Sequence, residues 1–298
     1  MTNPKSLRIA FLGLGKMGLP MAGRLAAAGY RVVGFDPFEA ARTAFAKSGG
    51  EIAQTSAEAA QDANVLITML PDGKSVANAL VGPDDLAATL VSGAIVIDMS
   101  SSAPLGTRDL ASQLGKRGIT LLDAPVSGGV KRAIDGSLAI MVGGSGTDIA
   151  AVRPLLEAMG KSIFETGPIG SGHAMKALNN YVSAAGLLAA CEALRVGAKF
   201  GLDPVLMTDV LNASTGRNNS TEVKLKPFVI PKNYSSGFSM ALMTKDLRTA
   251  DDLACQLDVP APFSHTCTAL WARALDELGS EADHTAIDGF RPHSGGVE

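Results

Sequence analysis

The sequence predicts an α/β protein: a doubly wound parallel sheet in the N-terminal half, followed by an all-helical C-terminal domain. Three observations carry that prediction. Short apolar runs alternate with helical patterns through the first half of the chain, as a parallel sheet with crossover helices requires. The first turn from such a run into a helix is glycine-rich at a fixed spacing, Gly13-Leu14-Gly15-Lys16-Met17-Gly18. After Thr166 the strand-like runs almost vanish while helical patterns continue.

In chain order, Leu7–Leu12 reads as a strand, Met17–Ala28 as a helix ended by Gly29, and Arg31–Asp36 as the second strand. Val65–Met69, Ile95–Asp98, Thr120–Asp123 and Leu138–Val142 are further strands, with helices between most of them. Gly167-Pro168-Ile169-Gly170-Ser171-Gly172 is a turn-rich junction, which sets domains of 1–168 and 169–298. Ala174–Phe200 reads as one long helix closed by Gly201, followed by helices at Pro204–Leu211, Met243–Leu257 and Pro262–Leu278. A helix apolar nearly all round must be buried on most sides. The long helix is therefore expected to pack on another subunit as well as its own domain, in a homodimer or homotetramer.

The composition, 46% hydrophobic and 18% charged over 298 residues, is that of a well-packed chain long enough for two cores. A net charge of -3 leaves no basic footprint for nucleic acid, and an anionic substrate would need a local positive site. Cys191, Cys255 and Cys267 are scattered without a CxxC spacing, so neither a disulfide framework nor a metal site is expected and small buried hydrophobes are. Met1–Leu7 holds one basic residue and no apolar signal run. The apolar stretch Tyr181–Ala190 is short and followed by Glu192, Arg195 and Lys199, which argues against a membrane span. A cytoplasmic protein without a membrane partner is expected.

The glycine run is a G-x-G-x-x-G that follows a strand and opens a helix, and Asp36 ends the second strand at about the 20-residue spacing of a ribose-binding acid. This is the pattern of a Rossmann-type dinucleotide-binding domain. The first glycine permits the tight turn, the second lets backbone approach a pyrophosphate, and the third lets helix and strand pack closely. Helix-start N–H groups then hold the phosphates. Asp36-Pro37 predicts NAD, with NADP disfavoured by repulsion of its 2′-phosphate; Arg42, further along, is a possible counterweight. Leu70-Pro71 and Ser100-Ser101 follow other strands and point to the same crevice.

Three later segments carry polar groups in unusual settings. Asp123-Ala124-Pro125-Val126-Ser127-Gly128-Gly129 follows a strand and either forms a small anion nest or is a ligand-free glycine loop. Lys176 and Asn180 are four apart, so they share a helix face. Such a pair is usually solvated, but this helix is otherwise apolar. Lys245-Asp246-Leu247 begins a helix and by itself reads as a surface ion pair.

Together these segments resemble the β-hydroxyacid dehydrogenase family, the relatives of 6-phosphogluconate dehydrogenase, and most closely its 3-hydroxyisobutyrate dehydrogenase branch. The resemblance rests on the GLGKMG start with Pro20, Met21 and Ala22, the DAPVSGG run, the GPIGSGHAMKALNN run and KDLRTADDLA, in that order over nearly the whole chain. It implies an oxidoreductase interconverting a small anionic 3-hydroxy acid and its semialdehyde or oxo acid. The alternative is a tartronate semialdehyde reductase, or a dehydrogenase of a more polar sugar acid or sulfonate. The resemblance makes Lys176 the acid/base, Asn180 a substrate-orienting residue, and Ser127, Gly128 and Gly129 the carboxylate site. Ser101 would lie near the nicotinamide, and Lys245 would line the closed cleft. A free lysine, with pKa about 10.4, is a poor base at neutral pH, and Lys245 would be a cation able to lower it. His173 is expected to be a bystander. Where the 3-hydroxyisobutyrate branch carries a Trp-containing segment, this chain reads Gly216-Arg217-Asn218-Asn219-Ser220-Thr221. That run either lines a pocket for a polar substrate group or starts a helix with Asn or Ser as its cap.

Overall fold

Nine strands and seven helices alternate through the first half: β1 (Arg8–Leu12), α1 (Gly18–Ala27), β2 (Arg31–Phe35), α2 (Glu39–Lys47), β3 (Glu51–Ile52), α3 (Ser56–Ala60), β4 (Val65–Thr68), α4 (Gly73–Val81), β5 (Ile95–Asp98), α5 (Pro104–Gly115), β6 (Thr120–Asp123), β7 (Val126–Ser127), α6 (Gly129–Asp135), β8 (Leu138–Gly143), α7 (Gly146–Met159) and β9 (Gly160–Gly167). Then come α8 (Ser171–Phe200), α9 (Pro204–Ala213), α10 (Asn219–Val223), α11 (Met240–Gln256) and α12 (Pro262–Leu278). These elements belong to a computed structural model that describes residues 7–291. The reading of the N-terminus as lacking a signal run lies, apart from Leu7, outside the described residues. The chain divides into two units, Met1–Lys176 and Ala177–Glu298.

In the first unit the strands form one sheet in the order β3-β2-β1-β4-β5-β6-β8-β7, with β9 on the free side of β8. From β3 to β6 all pairs are parallel. Side chains of successive strand residues point to opposite faces. Ile9 and Phe11 of β1 accordingly enter one core cluster with α1 and α7, and Ala10 and Leu12 enter another with α4 and α5. With both faces covered, the strands read as continuous apolar runs. Short side chains set the helix starts: Asp72 accepts from the Ser75 N–H ahead of α4, Thr55 and Glu58 form a reciprocal box on α3, and Ser145 caps α7.

The sheet departs from the all-parallel expectation at one end. β8 runs antiparallel to β6 and β7 and parallel to β9. β9 was not legible because Gly160–Gly167 is an edge strand with mostly polar, exposed residues and no apolar alternation. β3 and β7 span two residues each, below what a periodicity can reveal.

In the second unit the core gathers Ala184, Leu187, Cys191 and Leu194 of α8 with Met243 and Leu247 of α11 and Trp271 of α12. The stretch Tyr181–Ala190, read as too short to span a bilayer, is part of a 30-residue helix that is long and apolar enough to do so by length and composition alone. A core helix passes the same test. Met175, Leu178, Val182, Val196 and Phe200 of α8 are exposed. Gly201, at φ +106°, ends it. Cys191 and Cys267 are buried as expected, but Cys255 is exposed.

Candidate active site

The turn between β1 and α1 is shaped by three glycines with distinct physical reasons. Gly13 sits at φ +93°, and a Cβ there would lie 2.3 Å from the Met69 carbonyl oxygen. A Cβ on Gly18 would lie 1.8 Å from the Gly13 carbonyl oxygen, so only glycine lets α1 start against the loop. Gly15 is different: a Cβ would meet no protein atom within 4 Å. The space over Gly15 is free for a ligand, which is what close backbone approach to a pyrophosphate requires. The loop's shape is held from β2. One Asp36 oxygen accepts the Leu14 N–H at 2.8 Å, and the other accepts the Phe38 N–H at 2.9 Å. Arg42 folds back to donate to the carbonyls of Asp36 and Pro37 at 2.6 and 3.1 Å. Lys16 is exposed and Met17 half-buried. These residues fit a dinucleotide.

The neighbouring strand ends present Leu70, Pro71 and Ser101. Leu70 donates its N–H to Ser100 Oγ at 2.9 Å. Asp98, at the end of β5, accepts from the Thr68 hydroxyl, the Ser100 N–H and the Ser102 hydroxyl at 2.9, 2.9 and 2.7 Å. That buried carboxylate fixes the residues on both sides of Ser101, which is itself half-buried. Ser127 is half-buried at the end of β7, and Gly128 and Gly129 are exposed at φ +130° and +68°. Successive positive-φ glycines turn their N–H groups in a way side-chain-bearing residues rarely reach.

His173 is fully buried within the first unit. Its Nδ1 lies 2.8 Å from Thr107 Oγ1, and its ring stands 3.7 Å from Asp98 and 3.8 Å from Asp123. Lys176 follows on α8, half-buried.

In the second unit Asn180 is buried and donates from Nδ2 to Asp246 at 2.6 Å, while its Oδ1 accepts from Asn179 at 3.1 Å. Lys245 Nζ lies 3.9 Å from Asp246 Oδ1. Lys245 and Asp246 sit in the second turn of α11, which Ser239 caps, so they do not begin the helix as the sequence suggested. Asp246 is 2% exposed, which rules out the surface-pair reading. Asn218 accepts from the N–H groups of Ser220 and Thr221, and Thr221 reciprocates to the Asn218 N–H. Ser220 and Thr221 are buried, and Arg217 pairs with Glu222 at the surface. The run 217–221 therefore forms a helix cap, in which Asn218 and Thr221 are bonded to each other's backbone. The polar residue that the sequence reading missed is Lys224, just after α10, whose Nζ lies 3.3 Å from Ser183 Oγ of α8. Nothing in its Lys-x-Lys context distinguishes it from the exposed Lys226. Among the described residues no group of three His, Cys, Asp or Glu side chains is arranged to hold a metal.

Comparison with known proteins agrees with this geometry. Residues 8–167 match the NAD binding domain of 6-phosphogluconate dehydrogenase, and residues 170–289 match the NAD-binding domain of NADP-dependent 3-hydroxyisobutyrate dehydrogenase. The chain belongs to the β-hydroxyacid dehydrogenase family. It is 35% identical to 2-(hydroxymethyl)glutarate dehydrogenase of Eubacterium barkeri, over 95% of this chain and 94% of that one. It is 38% identical to 3-hydroxyisobutyrate dehydrogenase of Pseudomonas aeruginosa, over 94% and 95%. A structure of Mycobacterium tuberculosis 3-hydroxyisobutyrate dehydrogenase with L-serine superposes with a TM-score of 0.89 at 34% identity, covering 95% of this chain and 98% of that one. As a β-hydroxyacid dehydrogenase, the protein is an NAD(P)-dependent oxidoreductase acting on the CH–OH group of a small hydroxy acid.

Proposed function

We propose that the enzyme interconverts a small 3-hydroxy acid and its semialdehyde, with NAD preferred over NADP and Lys176 as the acid/base. The observation that carries this reading is Asn180: buried one helical turn after Lys176 and fixed by Asp246, it gives that face of α8 a rigid polar group. Bound nicotinamide supplies the hydride acceptor. The chain's residues do the rest. Ser127, Gly128 and Gly129 bind the substrate carboxylate, Asn180 and Lys245 orient it, and Lys176 takes the hydroxyl proton during oxidation and returns it during reduction. The NAD preference is supported by Asp36, whose carboxylate would repel the added like charge of a 2′-phosphate. Exposed apolar residues along α8 support a homo-oligomer.

The test is formation of reduced nicotinamide, followed by its near-ultraviolet absorbance, with a panel of 3-hydroxy acids and their 2-hydroxy isomers. Turnover of the 3-hydroxy acids alone, lost in Lys176→Ala, is expected. Oxidation of the 2-hydroxy isomers instead would refute the assignment.

A further inference from the structure

Lys176, Asn180 and Ser183 are four and three residues apart on α8, so all three lie on one helical face. Ser183 is one turn beyond Asn180. Its carbonyl oxygen accepts from the Ser220 hydroxyl at 3.5 Å, and its own hydroxyl meets the Lys224 ammonium at 3.3 Å. The α10 cap is seated on α8 at this point: a Cβ on Gly186 would lie 3.4 Å from the Asn218 amide. Lys224 is therefore delivered by a rigid, reciprocally capped turn onto the face that carries Asn180.

The chemistry of this spot is unusual for a lysine. Among the described residues, its one hydrogen-bond partner is the neutral Ser183 hydroxyl, and no carboxylate comes within ion-pair distance. Ammonium groups taken from water cost free energy, and the carboxylate nearest in effect, Asp283, is itself engaged by hydrogen bonds from Ser236, Gly237 and Thr285. The nearby basic ring does not share the charge. His284 directs Nδ1 to the Phe238 carbonyl at 3.1 Å, and its buried Nε2 has no hydrogen-bond partner. Burial, with Lys224 adding to it, pushes His284 down to about 4. The imidazole is neutral at working pH, and Lys224 carries the positive charge here. Burial also pushes Lys224 down to about 8, with Asp283 and Cys191 opposing the shift, so the ammonium persists at neutral pH. A chain of net charge -3 has no general attraction for a doubly charged anion. A local cation of this kind supplies it.

We propose that Lys224, held on Ser183, forms an anion subsite that selects 3-hydroxy acids carrying a second negatively charged group. This rests on the reading that Lys176 and Asn180 face the substrate. Ser183 lies two helical turns beyond Lys176 on α8, about 10 Å along the axis, so the group Lys224 selects is one set several atoms from the reacting carbon. Lys224 acts on specificity and not on the proton transfer.

The experiment uses a matched set of alcohols with NAD. 2-(Hydroxymethyl)glutarate differs from 3-hydroxyisobutyrate only in bearing a carboxyethyl group in place of the methyl. The distal amide and the distal sulfonate complete the set. Either anion is expected to exceed the amide in kcat/KM by roughly tenfold or more, the range of a hydrogen bond to a charged group, and the two anions together show whether carboxylate or sulfonate fits. Lys224→Met is expected to remove that advantage through KM, while Lys226→Met, at an exposed lysine paired with Asp209, is expected to keep it. Binding of glutarate against butyrate, by calorimetry in the presence of NAD, reads the subsite without turnover. If no alcohol is oxidised, the proposed reaction fails, and glutarate binding still decides the subsite. Equal treatment of amide and anions by the wild type, or an anion advantage that survives in Lys224→Met, would overturn it.

Discussion

Replacing Lys224 by Met changes stability in a pH-dependent way whose sign and size follow from its surroundings. Burial lowers the Lys224 pKa from 10.5 to about 8 in the folded chain. A lysine depressed on folding resists protonation in the folded state more than in the unfolded one. Its burial is therefore most costly below about pH 8, where both states are charged, and the cost disappears as pH rises past the unfolded value. A shift of that size corresponds to about 3 kcal/mol, of which roughly 2–3 kcal/mol is recovered between about pH 7 and about pH 10. Asp283, Cys191 and His284 face the same group. Burial pushes Cys191 up to about 12 and His284 down to about 4, and Asp283 is lowered, with hydrogen bonds from Thr285 and Ser236 outweighing its burial. All three therefore keep one protonation state across this window. The assay is urea unfolding of wild type and Lys224→Met at several pH values, read as the difference between them so that other titrations cancel. The wild type is expected to gain on the variant by about 2–3 kcal/mol as pH rises. A difference flat with pH would refute the reasoning, because the lysine would then not be desolvated in the folded state.

Lys176→Ala is expected to lower kcat by roughly 10²–10⁴ while NAD affinity, read by fluorescence titration, stays close to wild type. Asp36→Ala is expected to raise kcat/KM for NADP by roughly tenfold to a hundredfold, since it removes the like charge and leaves Arg42 beside the same backbone; a wild type that already prefers NADP would contradict the premise. Gly18→Ala, whose Cβ would lie 1.8 Å from a backbone oxygen, is expected to destabilise by about 3 kcal/mol or more. Gly15→Ala, with no protein atom nearby, is expected to keep its melting temperature and lose NAD affinity instead.

What the sequence made legible follows the range of the interactions involved. β1, α1 and β2 were readable because their apolar runs and glycine spacings are local, and Asp36 sits at a fixed distance along the chain from the glycine run. Lys176 and Asn180 could be paired because helical periodicity alone puts them on one face. β9 escaped because it pairs through its backbone at a sheet edge and leaves its side chains exposed. Residues 217–221 were ambiguous because the same polar letters serve as pocket lining or as a cap. Only the hydrogen bonds of Asn218 decide between them. Lys224 was invisible because its environment comes from residues 41 positions away at Ser183 and further along the chain at Asp283 and His284.

The same distinction explains motif letters that never needed to touch a ligand. Asp123, fully buried at the end of β6, accepts the Gly170 N–H on one oxygen and the His173 N–H on the other, each at 2.7 Å. It thus caps the first turn of α8 with a carboxylate, where the helix dipole favours negative charge. The close approach leaves no room for side chains. A Cβ on Gly143 would lie 2.3 Å from Asp123 Oδ1, and one on Gly172 would lie 2.3 Å from the Met141 carbonyl oxygen. His173 extends the joint. Thr107 Oγ1 lies 3.1 Å from the Ala103 carbonyl and 2.8 Å from His173 Nδ1. The opposite ring edge then turns towards Asp98, whose other bonds fix the residues flanking Ser101. Asp123 of the DAPVSGG run and Gly170, Gly172 and His173 of the GPIGSGHAMK run therefore form one structural joint. Asp123, Gly170 and Gly172 set where α8 starts, and so where Lys176 in its second turn stands, relative to the strand ends of the sheet.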